Sequence, residues 1–179
     1  TRYWRDWSSD VCSSDLLCCW GLALTLVPSF LVGSWFTRVE TQWMELAQIL
    51  FYVRIGCDLI GRFVTISLWP PTSVQCVVWT AGLRWIAVIL FFVNSTKRIP
   101  DRIFKTDKER DMLSISLVAF IAFCSGYLVT SCYQLAPQQL PDFLRATYAV
   151  KQASILTVAF SISAICGLIS SFVLIAIGV

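Results

Sequence analysis

Residues 112–136 read MLSISLVAFIAFCSGYLVTSCYQLA, twenty-five positions without a single charged side chain. As a helix rising ~1.5 Å per residue, such a stretch is long enough to cross ~30 Å of hydrocarbon. It is about twice the length of a barrel strand and shows no in/out alternation, so a β-barrel is disfavoured. Working outward, VQCVVWTAGLRWIAVILFFV at 74–93 carries only Arg84, and 152–179 is uncharged. Before them, LAQILFYVRIGCDLIGRFVTISLW at 46–69 has three embedded charges, and LLCCWGLALTLVPSFLVGSWF at 16–36 has none but contains Pro28, which should kink it. The composition of the 179 residues agrees: 57% are hydrophobic, 14% charged, none is His, and the mean hydropathy is +0.71. A soluble domain runs nearer a quarter charged, and a disordered one is poorer in apolar residues. The expectation is an all-α polytopic bundle of five transmembrane helices, an integral multi-pass protein in contact with the lipid bilayer.

Residues 1–15, TRYWRDWSSDVCSSD, differ abruptly from the rest. They are polar and Ser/Asp-rich, lack helical or strand periodicity, and do not follow the order of a signal peptide. The string RDWSSDVCSSDL resembles the conceptual translation of a sequencing adapter. These residues are therefore expected to be a non-native artefact, foreign to the fold and disordered or unpacked, which leaves 16–179 as the transmembrane bundle.

Seven of the eight cysteines, Cys18, Cys19, Cys57, Cys76, Cys124, Cys132 and Cys166, lie inside apolar runs, where a thiol behaves as a small apolar residue. Only Cys18 and Cys19 have anything like a metal-ligand spacing, and without His in the chain no metal and no cofactor are expected. Small residues recur every fourth position at Ala122, Gly126 and Thr130, and again at Ser163, Gly167 and Ser171. Such stripes mark where neighbouring helices pack closely. Trp35, Trp43 and Trp69 fall near expected helix ends, where indole rings favour the membrane interface.

The long polar connection, NSTKRIPDRIFKTDKERD at 94–111, mixes six bases with four acids. That balance suits a solvated loop and not a nucleic-acid patch, which would be more uniformly basic and interleaved with aromatics. Counting Arg38 with its six bases against Arg145 and Lys151 on the other side, the positive-inside rule puts this loop in the cytoplasm.

The candidate chemistry lies in the second run. Arg54, Asp58 and Arg62 are spaced four apart and so line one helix face. Asp58 stands at the middle of the run, where an unpaired charge costs ~2.5–3.5 kcal/mol even on the lenient insertion scale, and it is too short to snorkel to either surface. It must be paired or wet. One reading is an Asp58–Arg62 pair that only pins this helix to a neighbour. The other is a water-accessible cavity in which the carboxylate and guanidinium recognise a polar solute. No enzyme is expected: the chain has no His, no paired intramembrane carboxylates and no Ser beside a credible base.

D-L-I-G-R at 58–62 followed by W-P at 69–70 resembles the eighth transmembrane helix of the equilibrative nucleoside transporters. The similarity continues in register. Leu26-Val27-Pro28 resembles their Pro-containing seventh helix, Arg84 and Asn94 the Arg and terminal Asn of the ninth, and F-C-S-G-Y-L at 123–128 with Pro137 the tenth. The fifth run would be the eleventh and last. The chain departs from the family pattern at Ser125 and Ile55, where the family usually has Asn, at Arg54, a commonly apolar position, and in a gap from Arg62 to Trp69 that is one residue short.

The resemblance covers about 160 residues and implies the C-terminal part of an eleven-helix, major-facilitator-like fold, with the first six helices of the same protein as its missing partners. It implies alternating-access movement of a nucleoside or nucleobase across the plasma membrane. Asp58 and Arg62 would recognise the sugar, with Arg54 on the same face and Pro28 and its neighbours lining the cavity from the facing helix. A ribose offers vicinal hydroxyls that donate to a carboxylate and accept from a guanidinium. The family topology places loop 94–111 outside the cytoplasm, against the positive-inside count, and is preferred because earlier helices usually set orientation. The remaining alternatives are another transporter or channel for a small polar solute or ion, and a membrane scaffold whose charges only fix packing. A cation path would more naturally be lined by rings of acids than by one acid flanked by bases.

Overall fold

Where no water reaches the backbone, each N–H and C=O must find its partner within the segment, so apolar runs of this length fold as helices. In the computed structural model of the chain, residues 2–36, 39, 45–96, 107–139 and 142–177 are described, with side chains over 16–36, 39, 45–96, 108–139 and 148–177. Five helices account for them: α1 Arg2–Ser34, α2 Leu46–Ser67, α3 Val74–Ser95, α4 Asp107–Gln138 and α5 Asp142–Ile177. The fold is an all-α bundle, with no strand among the described residues.

Among the described residues, four stretches are long and apolar enough to cross a membrane: Leu16–Ser34, Val74–Ser95, Lys108–Gln138 and Tyr148–Ile177. The protein is membrane-embedded. The fifth expected span, 46–69, corrects the simple picture, because α2 is 22 residues long yet Arg54, Asp58 and Arg62 separate it from the four apolar helices. Its outward face is apolar all the same, with Ile60, Phe63 and Ile66 more than half exposed.

Two apolar clusters record the packing. One joins Cys18, Leu22 and Leu26 of α1 to Val77 and Ala81 of α3, and to Leu128, Cys132 and Leu135 of α4. The other joins Val32, Trp35 and Phe36 to Ala87, Val88 and Phe91, and to Val118 and Ile121. Rising numbers in α1 meet rising numbers in α3 and falling numbers in α4, so α1 and α3 run together and α4 runs against them. Leu156 of α5 joins the first cluster, with Leu174 and Ile175 against the second, so α5 runs with α1. Gly167 sits where a Cβ would meet Val27 O and Phe30 Cβ, both at 2.9 Å, which is the close approach expected of the fifth-span stripe. α4 touches all four other helices, while α2 packs mainly on α4 and α5 mainly on α1.

Several boundaries differ from the sequence reading. α1 begins at Arg2, so the backbone of 2–15 continues the helix; extending an established helix is cheap compared with nucleating one, and the segment has no Gly or Pro to stop it. The two ends of the polar stretch 94–111 belong to helices, since Asn94 and Ser95 end α3 and residues 107–111 begin α4. Asn94 is fully buried and donates to Arg110 O at 3.1 Å and Ser114 Oγ at 2.8 Å, tying the end of α3 to the start of α4. Arg110 and Asp111 are buried too, in place of the solvated positions expected of a loop. Residues 97–106 lie outside the described residues, as does Trp43. Trp35 follows directly on the end of α1 but is turned inward: it is buried, donates Nε1 to Ser95 Oγ at 2.9 Å, and sits edge-on to Phe92. Trp69 is well exposed at the end of α2.

Candidate solute-binding cleft

Glycine decides how α2 meets α4. A Cβ on Gly61 would run into Phe123 O and lie 2.9 Å from Tyr127 N, and a Cβ on Gly126 would run into the backbone of Asp58. The two bare positions therefore let the backbones touch, and Thr65 Oγ1 reaches Tyr127 O at 3.3 Å along the same seam. This contact, and not an ion pair, pins α2 in the bundle. It also fixes the rotation of α2, which turns Arg54, Asp58 and Arg62 together into a cleft.

The cleft has a volume of about 390 Å³ and lies between α1, α2 and α4, with Phe160 of α5 at its edge. Leu26, Ser29 and Phe30 line it from α1 and Phe36 from just past its end, Arg54, Asp58 and Arg62 from α2, and Ile121 and Ser125 from α4. A volume of this order accommodates a small polar solute. Pro28 is buried and does not line the cleft, a correction to the expectation, although its neighbours Leu26, Ser29 and Phe30 do. Positions 26, 29, 30 and 36 share the helical face turned to the cleft, and Pro28 falls off that face. Its missing N–H leaves Leu24 without its ladder donor.

Within the cleft, Arg62 Nε donates to Asp58 Oδ2 at 2.8 Å, with the two side chains 47% and 25% exposed. The second carboxylate oxygen of Asp58 and the terminal nitrogens of Arg62 make no hydrogen bond to the described residues. The pair lies within one helix and its two side chains bond no residue of another, so it does not by itself tie α2 to a neighbour. They present an acceptor and a fork of donors to whatever occupies the cleft. Arg54 lies with its guanidinium carbon 5.6 Å from the centroid of the Phe30 ring, and its head occupies the space over Gly33.

A second polar group lies behind the α1/α4 wall, in the layer between the two apolar clusters. Arg84 of α3 is 2% exposed. It donates through Nη2 to Thr25 O and, at 2.9 Å, to Ser29 Oγ, and through Nη1 to Ile121 O at 3.5 Å. Ser29 Oγ lies 2.8 Å from Thr25 O and 3.0 Å from Ser125 Oγ. Among the described residues no carboxylate pairs with Arg84; three oxygens accept from its two Nη atoms, while its buried Nε makes no hydrogen bond. Sequence reasoning included Ser29 only as a neighbour of Pro28 and missed Ser125 as a cleft residue. The available signal was Arg84 itself, a lone charge in an apolar run that required buried oxygen partners.

Comparisons with protein-family models, with curated proteins and with solved structures found no significant match to this chain, so the functional reading rests on the chemistry of the cleft.

Proposed function

We infer that this chain forms part of a transporter that moves nucleosides, with nucleobases as the related substrate class, by alternating access across the plasma membrane. The observation that carries the reading is the membrane-embedded cleft of about 390 Å³ into which Asp58 and Arg62 turn an unused carboxylate oxygen and unused guanidinium donors. Vicinal ribose hydroxyls match that set, each donating to the acid and accepting from the base. Phe30, Phe36, Phe51 and Phe160 supply apolar and aromatic lining suited to a flat base. One acid flanked by two bases makes a poor cation path. The motifs at 58–62, 69–70 and 123–128 support the same class by resemblance, and align these five helices with the last five of eleven.

The test is uptake of radiolabelled uridine and adenosine by membranes carrying the complete transporter. Saturable uptake, competed by unlabelled nucleosides and not by inorganic cations, is the expected outcome. Uptake no greater than in control membranes would overturn the assignment.

A further inference from the structure

A serine inside a helix ordinarily donates its one proton back to the carbonyl four residues earlier. Ser116, Ser131, Ser163 and Ser170 all do so here, with Oγ 2.6–2.9 Å from the carbonyl oxygens of Met112, Tyr127, Ala159 and Cys166. Ser29 does the same, with Oγ 2.8 Å from Thr25 O. Its oxygen is left with two lone pairs, and two neighbours meet them: Arg84 Nη2 at 2.9 Å and Ser125 Oγ at 3.0 Å. A guanidinium only donates, so Arg84 takes the first. The second is filled by Ser125, the one hydroxyl of the two that still has a proton to give. Ser29 is thereby saturated. Ser125 Oγ keeps its lone pairs, and among the described residues no donor reaches them. Ser125 is 6% exposed and lines the cleft, and the next residue, Gly126, faces the backbone of Asp58, so this acceptor stands beside the Asp58–Arg62 pair across the α2/α4 seam.

We propose that Ser125 is a specificity-determining hydrogen-bond acceptor for the solute, taking an N–H on the edge of a nucleoside base, so that the cleft selects bases with an amino or imide N–H over analogues that lack it. With its proton held by Ser29, the Ser125 hydroxyl offers the cleft an oxygen and no donor, which favours a donor on the solute and disfavours a carbonyl or ring nitrogen at that place. Asp58 and Arg62 on α2 claim the sugar hydroxyls, and the base is what a separate acceptor on α4 is left to read. This assignment rests on the nucleoside reading above.

The experiment measures competition for nucleoside uptake by the complete transporter, normalised to membrane abundance. The members of each competitor pair differ in an N–H donor: adenosine and purine riboside, which lacks the 6-amino group; cytidine and pyrimidin-2-one riboside, which lacks the 4-amino group; uridine and 3-methyluridine. The wild type is expected to prefer the N–H member of at least one pair by about two- to tenfold, as for one hydrogen bond, and Ser125→Ala to abolish that preference by weakening the N–H member alone. Ser125→Cys, close in size but a weak acceptor, is expected to behave as Ser125→Ala does. Saturable wild-type uptake with no preference in any pair would overturn the acceptor role and leave the nucleoside reading standing. A preference that survives either substitution, or losses equal for both members of every pair, would do the same. A loss that follows 2′- or 3′-deoxyribosides and not the base pairs would overturn base recognition in favour of the sugar. Absence of nucleoside uptake by the wild-type transporter would overturn both this assignment and the reading on which it rests.

Discussion

Asp58 and Arg62 are bonded to each other within one helix, at 2.8 Å, and both remain partly open to the cleft. Asp58→Asn keeps the shape and removes the charge, so a bound hydroxyl loses a charge-assisted acceptor. The expected cost is ~1.5–3 kcal/mol, or about ten- to a hundredfold in apparent affinity for ribosides, with smaller losses for nucleobases that lack the sugar. Uptake of a nucleoside and its base, normalised to membrane abundance, checks this; unchanged riboside affinity at normal abundance would remove Asp58 from the site. Arg54 differs from its neighbours, since its head stacks near Phe30 and covers Gly33 and makes no ion pair with Asp58. Neutral substitution there should alter the shape of the cleft more than its charge recognition.

Between elements, the α2/α4 seam is the fragile one. Gly126 faces the backbone of Asp58, a neighbour that cannot rotate away as a flexible side chain could. Gly126→Ala should therefore force the two helices apart at an overpacking cost of ~1–3 kcal/mol, and should displace Asp58 with the helix. Thermal stability in detergent and solute affinity should fall together. Gly82, in contrast, has nothing within 4 Å of an added Cβ, so Gly82→Ala should leave both near wild type or raise stability slightly through helix propensity. Equal behaviour of the two variants would show that the seam is looser than its geometry indicates.

At the scale of the whole molecule, α2 and α5 leave broad apolar faces outward. Phe63 and Ile66 on α2, and Ile162, Ile165, Ile169 and Phe172 on α5, are all more than half exposed. Lipid or further helices of the same protein must cover these faces. If the transport path lies between two bundles, this chain supplies one wall only. Reconstituted alone in vesicles, the 179-residue chain should insert and show no saturable nucleoside uptake; such uptake would point instead to self-assembly of this bundle. The two topology arguments also separate at this scale. An epitope inserted near Ile99, between α3 and α4, should be reached by antibody on intact cells if the family topology governs, and only after permeabilisation if the positive-inside count does.

The apolar runs by themselves determined that the chain is an α-helical membrane bundle, because length and hydrophobicity fix that outcome wherever backbone groups lack water. The four-residue spacing also determined that Arg54, Asp58 and Arg62 share a face, a property of one helix that needs no neighbour. Which way that face points was decided only in the tertiary structure, by the reciprocal contact of Gly61 and Gly126. Pro28 was expected in the lining from the resemblance alone, yet the rotation of α1 turns Ser29 and Phe30 to the cleft and leaves Pro28 behind them. Residues 94–111 read as a loop from their charges, but its two ends belong to helices packed side by side, where the Asn94 amide donates to Arg110 O and Ser114 Oγ and Arg110 is buried. The Arg84–Ser29–Ser125 group was least legible, since its members lie 55 and 96 residues apart along the sequence and only the packing of three helices brings them together.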